Sequence, residues 1–229
     1  SSFISFLNEK QEELLMKIVL TPDWFLGMDV LIEAFSFFVL FLFSFLALKN
    51  YKLSKNRKFL YLGVGFGLVC LAQLAAVFTR LVLYYDIGPS QAIGQTIIQS
   101  QVVGSVDIFY YIGFFFQRFL TLLGLYIIYR LPRKKKSAAD FVLAAYFIIL
   151  SALLSKQFYY LFYLTAFVLL ILIINNYSEL YKKNKFRNTK VLIVAFSILA
   201  LSQILFLFSA VDIIFVIASE LELISYITL

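Results

Sequence analysis

The chain has 229 residues, of which 62% are hydrophobic and 14% charged, and its net charge is +7. Soluble domains carry about 25% charged residues, so this composition leaves too little polar surface to coat a water-soluble globule. With no histidine and a single cysteine, Cys70, the chain has no intrachain disulfide, no His- or Cys-built zinc or histidine-ligated haem site, and no Ser-His or Cys-His catalysis.

Residues 1–21 read as an amphipathic helix. Phe3, Leu7, Leu14 and Ile18 share one side, while Glu9, Glu12, Glu13 and Lys17 lie mostly elsewhere around the wheel. Such a helix is expected on a membrane surface, and its acidic residues set it apart from a signal peptide. Thr21-Pro22-Asp23 then offers a cap, a first-turn proline and an acidic residue suited to a helix start, with Trp24 as an interfacial anchor.

A hydrocarbon core about 30 Å thick calls for roughly 20 apolar residues per helix. Runs of that kind predict an all-α seven-helix transmembrane domain over 22–229. The spans fall at about 22–48, 59–85, 106–129, 138–155, 158–175, 190–210 and 213–229. Between the second and third lies a 20-residue segment, Asp86 to Ser105, with Gly88-Pro89 and four glutamines but no charge after Asp86. It reads as a surface loop or a lid. The seventh span meets Leu229 without a flanking anchor, so further chain is expected beyond it.

Lysine and arginine set the orientation. They cluster at Lys49, Lys52, Lys55, Arg57 and Lys58, at Arg130, Arg133, Lys134, Lys135 and Lys136, and at Lys182, Lys183, Lys185, Arg187 and Lys190. In a seven-span chain all three clusters face one side, which the positive-inside rule makes cytoplasmic. The N-terminus is then outside and the C-terminus inside, in a multi-pass protein of the cell membrane. These basic loops act as topology determinants, and no nucleic-acid partner is expected.

The second and sixth spans resemble each other. Phe66 to Leu74 lies over Phe196 to Ile204 at a constant offset of 130, with Gln73 over Gln203. Asn50-Tyr51 and Asn176-Tyr177 open the preceding basic loops, and Asp107-Ile108 and Asp212-Ile213 open the third and seventh spans. The order suggests a parallel 3+1+3 repeat, two three-helix units joined by the fourth span. Sugar transporters of the SWEET type resemble this in topology. Their spans rely on prolines, whereas Pro22, Pro89 and Pro132 all lie outside span interiors here. Receptor signatures of the G-protein-coupled type are absent. Retinal linkage is not expected either, because Lys190 is the last lysine and precedes the sixth span.

Glu33, Arg80, Arg118, Glu220 and Glu222 are the charges within the spans. Each costs at least about 2.5 kcal/mol in a bilayer, so such residues usually face the bundle interior. Asp29 lies one turn from Glu33, and Gln73, Gln117 and Gln203 add amides at similar depth. Together these nine residues predict a polar, ligand-binding cluster in the outer half. Arg118 is expected to pair with Glu33 or with whichever of Glu220 and Glu222 points inward. Ion pairs that only fix helix registry are the bland alternative. No catalytic motif, metal site or cofactor is expected. The leading functional expectation is a receptor or sensor-like module for a small or lipidic ligand, with a cytoplasmic or membrane protein partner. A secondary transporter and a structural or assembly subunit are the alternatives.

Overall fold

The computed structural model describes residues 23–25, 27–86, 99–131, 138–154, 158–209 and 211–229. The surface helix expected over 1–21 and residues 87–98 of the expected lid lie outside the described residues. A 3-10 turn, Asp23–Phe25, precedes seven α-helices: α1 Met28–Ser54, α2 Arg57–Asp86, α3 Gln99–Arg130, α4 Ala138–Leu154, α5 Tyr159–Asn184, α6 Arg187–Phe206 and α7 Asp212–Thr228. Five contain stretches long and apolar enough to cross a membrane: Met28–Ser54, Arg57–Val82, Tyr111–Arg130, Tyr159–Lys183 and Arg187–Phe206. The apolar stretch of α4, Ala144–Leu154, is shorter, and α7 has 17 residues. Leu31, Phe35, Phe38, Phe41, Leu42, Phe45 and Leu46 all lie exposed on α1, an apolar surface far larger than water-soluble monomers present. The chain is a helical protein built for a membrane.

Several expected boundaries are corrected. The first long helix starts at Met28, not at Pro22. Gly27 adopts φ 90°, a left-handed conformation that glycine tolerates. Asp29 Oδ1 then accepts the backbone N–H groups of Gly27 at 3.0 Å and Val30 at 2.8 Å. α3 begins at Gln99, inside the stretch expected as loop. α1 and α5 run on through their basic residues, so Lys52, Lys182 and Lys183 occupy last helical turns. Lysine is a good helix former and suits the negative end of the helix dipole.

In the packing, α2 lies against both α1 and α3, and α6 against both α5 and α7. The two groups then meet through α3 on α5 and α7 on α1, with α4 packed on α3 and α5. Leu40, Phe66, Leu122, Leu170, Ile173 and Phe196 form the buried centre. Glycine brings two backbones together at the α2–α3 crossing, where a Cβ added to Gly124 would sit 2.6 Å from the carbonyl oxygen of Gly65.

The two groups share local detail at an offset of 130. Lys55 (φ 55°) ends α1 with its N–H on the Tyr51 carbonyl at 2.8 Å, and Lys185 (φ 49°) ends α5 with its N–H on the Tyr181 carbonyl at 2.8 Å. The next helices start at Arg57 and Arg187. Tyr51 therefore corresponds to Tyr181, and the match of Asn50-Tyr51 with Asn176-Tyr177 is one helical turn out of register. Gly65, Phe66, Val69, Cys70, Ala72, Gln73, Ala76 and Thr79 of α2 are buried, and so are Ala195, Phe196, Leu199, Ala200, Ser202, Gln203 and Phe206 of α6 and Ser209 just beyond it; Gly63 and Thr189 are buried without a buried counterpart at this offset. Phe66 and Phe196 stack on one another, with ring centroids 6.1 Å apart and planes 9° from parallel.

Candidate functional site

A cavity of about 90 Å³ lies between the two groups of helices. α1 contributes Ile32, Glu33 and Ser36; α2 contributes Val69, Gln73 and Arg80; α3 contributes Phe114, Gln117, Arg118, Thr121 and Leu125. From the second group come Phe162, Tyr163, Ala166 and Leu170 on α5, Leu199, Gln203 and Phe206 on α6, and Phe215, Ser219, Glu222 and Tyr226 on α7. The lining spacing of α3, at Phe114, Arg118, Thr121 and Leu125, recurs on α7 at Phe215, Ser219, Glu222 and Tyr226. These are the one-turn steps that keep side chains on one helix face.

Arg80 anchors one end. Its Nη1 pairs with Asp29 Oδ2, and its Nη2 lies 2.9 Å from Glu33 Oε1. Asp29 is almost wholly buried, and its other oxygen already accepts two backbone N–H groups, so it sits in a fixed, charge-assisted network. The ion pair expected between Glu33 and Arg118 is formed, on the Glu33 side, by Arg80. Arg118 does face the interior, at 4% exposure. Its guanidinium lies 3.7 Å from the ring centroid of Phe114 and 5.3 Å from that of Phe162, within the range of cation–π attraction.

A second network crosses between the groups. Gln73 Nε2 donates to Glu222 Oε1 at 3.2 Å and to the Tyr226 hydroxyl at 3.3 Å. That hydroxyl donates in turn to Glu222 Oε1 at 2.8 Å. Tyr226 is four residues from Glu222, so one face of α7 carries both. Glu220 points the other way and is exposed, which removes it from the expected cluster. Of the nine residues singled out in the sequence, Glu33, Gln73, Arg80, Gln117, Arg118, Gln203 and Glu222 line the cavity, and Asp29 joins through Arg80.

Two buried acceptors on the cavity wall are left over. Glu33 Oε2 and Gln203 Oε1 have no hydrogen-bond partner among the described residues; their residues are 9% and 7% exposed. Buried polar atoms in folded proteins overwhelmingly find a partner. Aromatic side chains supply the rest of the wall. Tyr163 and Phe206 stack at 5.0 Å, and Phe206 meets Phe215 edge-on at 5.7 Å. Sequence reasoning missed these rings and Tyr226, because nothing separates them from the other aromatics in a chain with 27 Phe and 15 Tyr. Among the described residues no group of three or more His, Cys, Asp or Glu side chains could hold a metal ion.

No protein-family model, curated protein or solved structure matches this chain.

Proposed function

We propose that this protein is a receptor or sensor-like membrane module that binds a small or lipid-derived ligand in the cavity between its two helix groups. The carrying observation is the chamber between the two helix groups, lined from both sides by Glu33, Gln73, Arg80, Arg118, Gln203 and Glu222. Ion pairs that only fix helix registry need no chamber between the two groups. In this reading all seven helices cross the bilayer, with the basic ends of α1, α3 and α5 in the cytoplasm. The cavity then lies in the outer half. Below it, toward the cytoplasmic ends, the space is closed by Leu40, Phe66, Leu122 and Phe196, all buried, which favours a chamber open to one side. The shared caps and burial pattern at offset 130 support a parallel repeat of α1–α3 and α5–α7 about an axis along the membrane normal.

A secondary transporter is the second reading. One observation favours it: the cavity sits at the interface of two like units, where alternating access requires a substrate site to be. Single cysteines at Thr121 and Ser219, introduced into a Cys70→Ser background, separate the readings. Labelling by a charged methanethiosulfonate from the outside only is expected for the receptor. Labelling from both faces supports the transporter. Labelling from neither removes both.

A further inference from the structure

Resting on the reading that α7 crosses the bilayer, and not on what the cavity holds, we propose that the outward face of α7 docks a transmembrane helix of another protein, which presents a lysine or arginine to Glu220 at mid-membrane depth. α7 carries two stripes. Phe215, Ser219, Glu222 and Tyr226 line the cavity. Ile213, Ile217, Glu220, Ile224 and Ile227 are all exposed. Steps along this second stripe alternate between four residues and three, the spacing of a seam between paired helices. Glu220 and Glu222, two residues apart, face opposite ways. Glu222 accepts hydrogen bonds from Gln73 and Tyr226, while Glu220 stands among four isoleucines on the outside.

Any exposed helix face shows such steps; the centre of this one sets it apart. On α1 the exposed face is apolar over the same depth, at Leu31, Phe35, Phe38 and Leu42. Glu220 lies eight residues from each end of α7 (Asp212–Thr228), about 12 Å along the helix axis. A glutamate side chain does not reach the headgroups from there. Among the described residues, every other exposed acidic or basic side chain lies within two turns of a helix end, and none pairs with or hydrogen-bonds Glu220. Ionised or protonated, its carboxyl group is without the hydrogen bonds that water supplies. Charged residues at this depth turn toward protein and pair with one another. The occupant is therefore a membrane helix with donors at the same depth. Lysine and arginine carry donors only, and a basic residue within a membrane itself requires an acidic partner. The β-branched isoleucines supply the packing seam, and one polar position within it fixes the register. A second copy of this chain does not fit. Two parallel α7 stripes set Glu220 against Glu220, and the described cations lie near helix ends or line the cavity, as Arg80 and Arg118 do.

The test is energy transfer in phosphatidylcholine vesicles. The full chain is donor-labelled at Thr228→Cys in a Cys70→Ser background. The probes are acceptor-labelled leucine–alanine transmembrane peptides of about 20 residues, with lysine, asparagine, glutamate or leucine at the centre. Saturable transfer is expected with the lysine peptide, and the other three should bind at least tenfold more weakly. Glu220→Leu should weaken the lysine peptide at least tenfold and leave the melting temperature unchanged or raised. Ile217→Ala with Ile224→Ala should weaken it by a smaller factor. The proposal falls if the lysine peptide binds no better than the leucine peptide, or binds Glu220→Leu equally well. It gives way to a neutral polar partner if asparagine matches lysine, and to a second copy if labelled copies of the chain associate through Glu220. The peptide series on the unaltered stripe decides alone if Glu220→Leu fails to fold. Glu220→Cys in the Cys70→Ser background separates the proposal from the crossing. Protection from a membrane-impermeant methanethiosulfonate is expected. Modification removes the crossing of α7 and the proposal together, whereas protection without peptide binding leaves the crossing intact and removes only the docked helix.

Discussion

The two helix groups, α1–α3 and α5–α7, share a frame and differ in what they hang on it. Ser36 and Ala166, Leu40 and Leu170, and Ala47 and Tyr177 are buried pairs at the same offset as Gln73 and Gln203. Where α1 carries Asp29 and Glu33, however, α5 carries Tyr159 and Tyr163. The charge network with Arg80 is confined to the first group, and the stacked rings of Tyr163 and Phe206 to the second. Packing geometry can thus be kept in both groups while polarity is concentrated in one. The first group's side of the cavity carries Glu33, Arg80 and Arg118 beside Phe114, and the second group's side carries Glu222 among Tyr163, Phe206 and Phe215.

The sharpest way to break this asymmetry is Arg80→Leu. It leaves Asp29 and Glu33 buried without their cation, which costs up to about 3–5 kcal/mol, less whatever solvent reaches the side chain at 27% exposure. Adding Asp29→Asn and Glu33→Gln should restore much of the loss. Thermal unfolding in detergent measures both; an additive triple variant would mean that the three residues are not one network. Next in size is Gly124→Ala, whose methyl group has no space against the Gly65 backbone. A loss of about 1–3 kcal/mol is expected. Ala195, which corresponds to Gly65 in the second group, already has its Cβ and is fully buried. A helix–helix crossing as close as the first group's is therefore not expected there.

The equivalent glutamines should differ in sign. Gln73→Leu removes the donor to Glu222 and Tyr226 and should cost about 1.5–3 kcal/mol, as for a hydrogen bond to a charged group. Gln203→Leu removes a carbonyl with no partner and should leave the ligand-free protein as stable or more so. Equal losses at both positions would show that Gln203 is satisfied in the folded protein. The smallest effect tests likeness instead of difference. Lys55→Gly and Lys185→Gly each relieve a left-handed residue at a helix end and should each add up to about 1 kcal/mol, by the same amount within error.

Much of this frame is legible in the sequence, because it rests on local signals. Apolar runs locate the helices, and the costliness of buried charge pointed inward for Glu33, Arg80 and Arg118. The Gln73–Gln203 register was visible because two glutamines stand out among leucines. What was not legible depends on how helices turn about their axes. The spacing of Glu220 and Glu222 says that they face apart, but only the packing of α7 on α6 and α1 decides that Glu222 is the inner one. The choice of Arg80 over Arg118 for Glu33 follows from the α1–α2 crossing, which no local pattern records. The Asn-Tyr pairs lie one turn away from the offset of 130 that the two helix ends share, and a repeated dipeptide does not distinguish the two registers in sequence.

The stacked pair Phe66 and Phe196 has a consequence for the history of such a chain. On the two-unit reading, these rings are the same position met twice, each forming the other's surroundings. A substitution at one is at once a change of environment for the other, so the two half-sequences cannot drift apart freely there. At positions 33 and 163, also 130 apart, a carboxylate and a phenol stand instead. On that reading the contact ties the two halves together at this one position and leaves each free to specialise elsewhere.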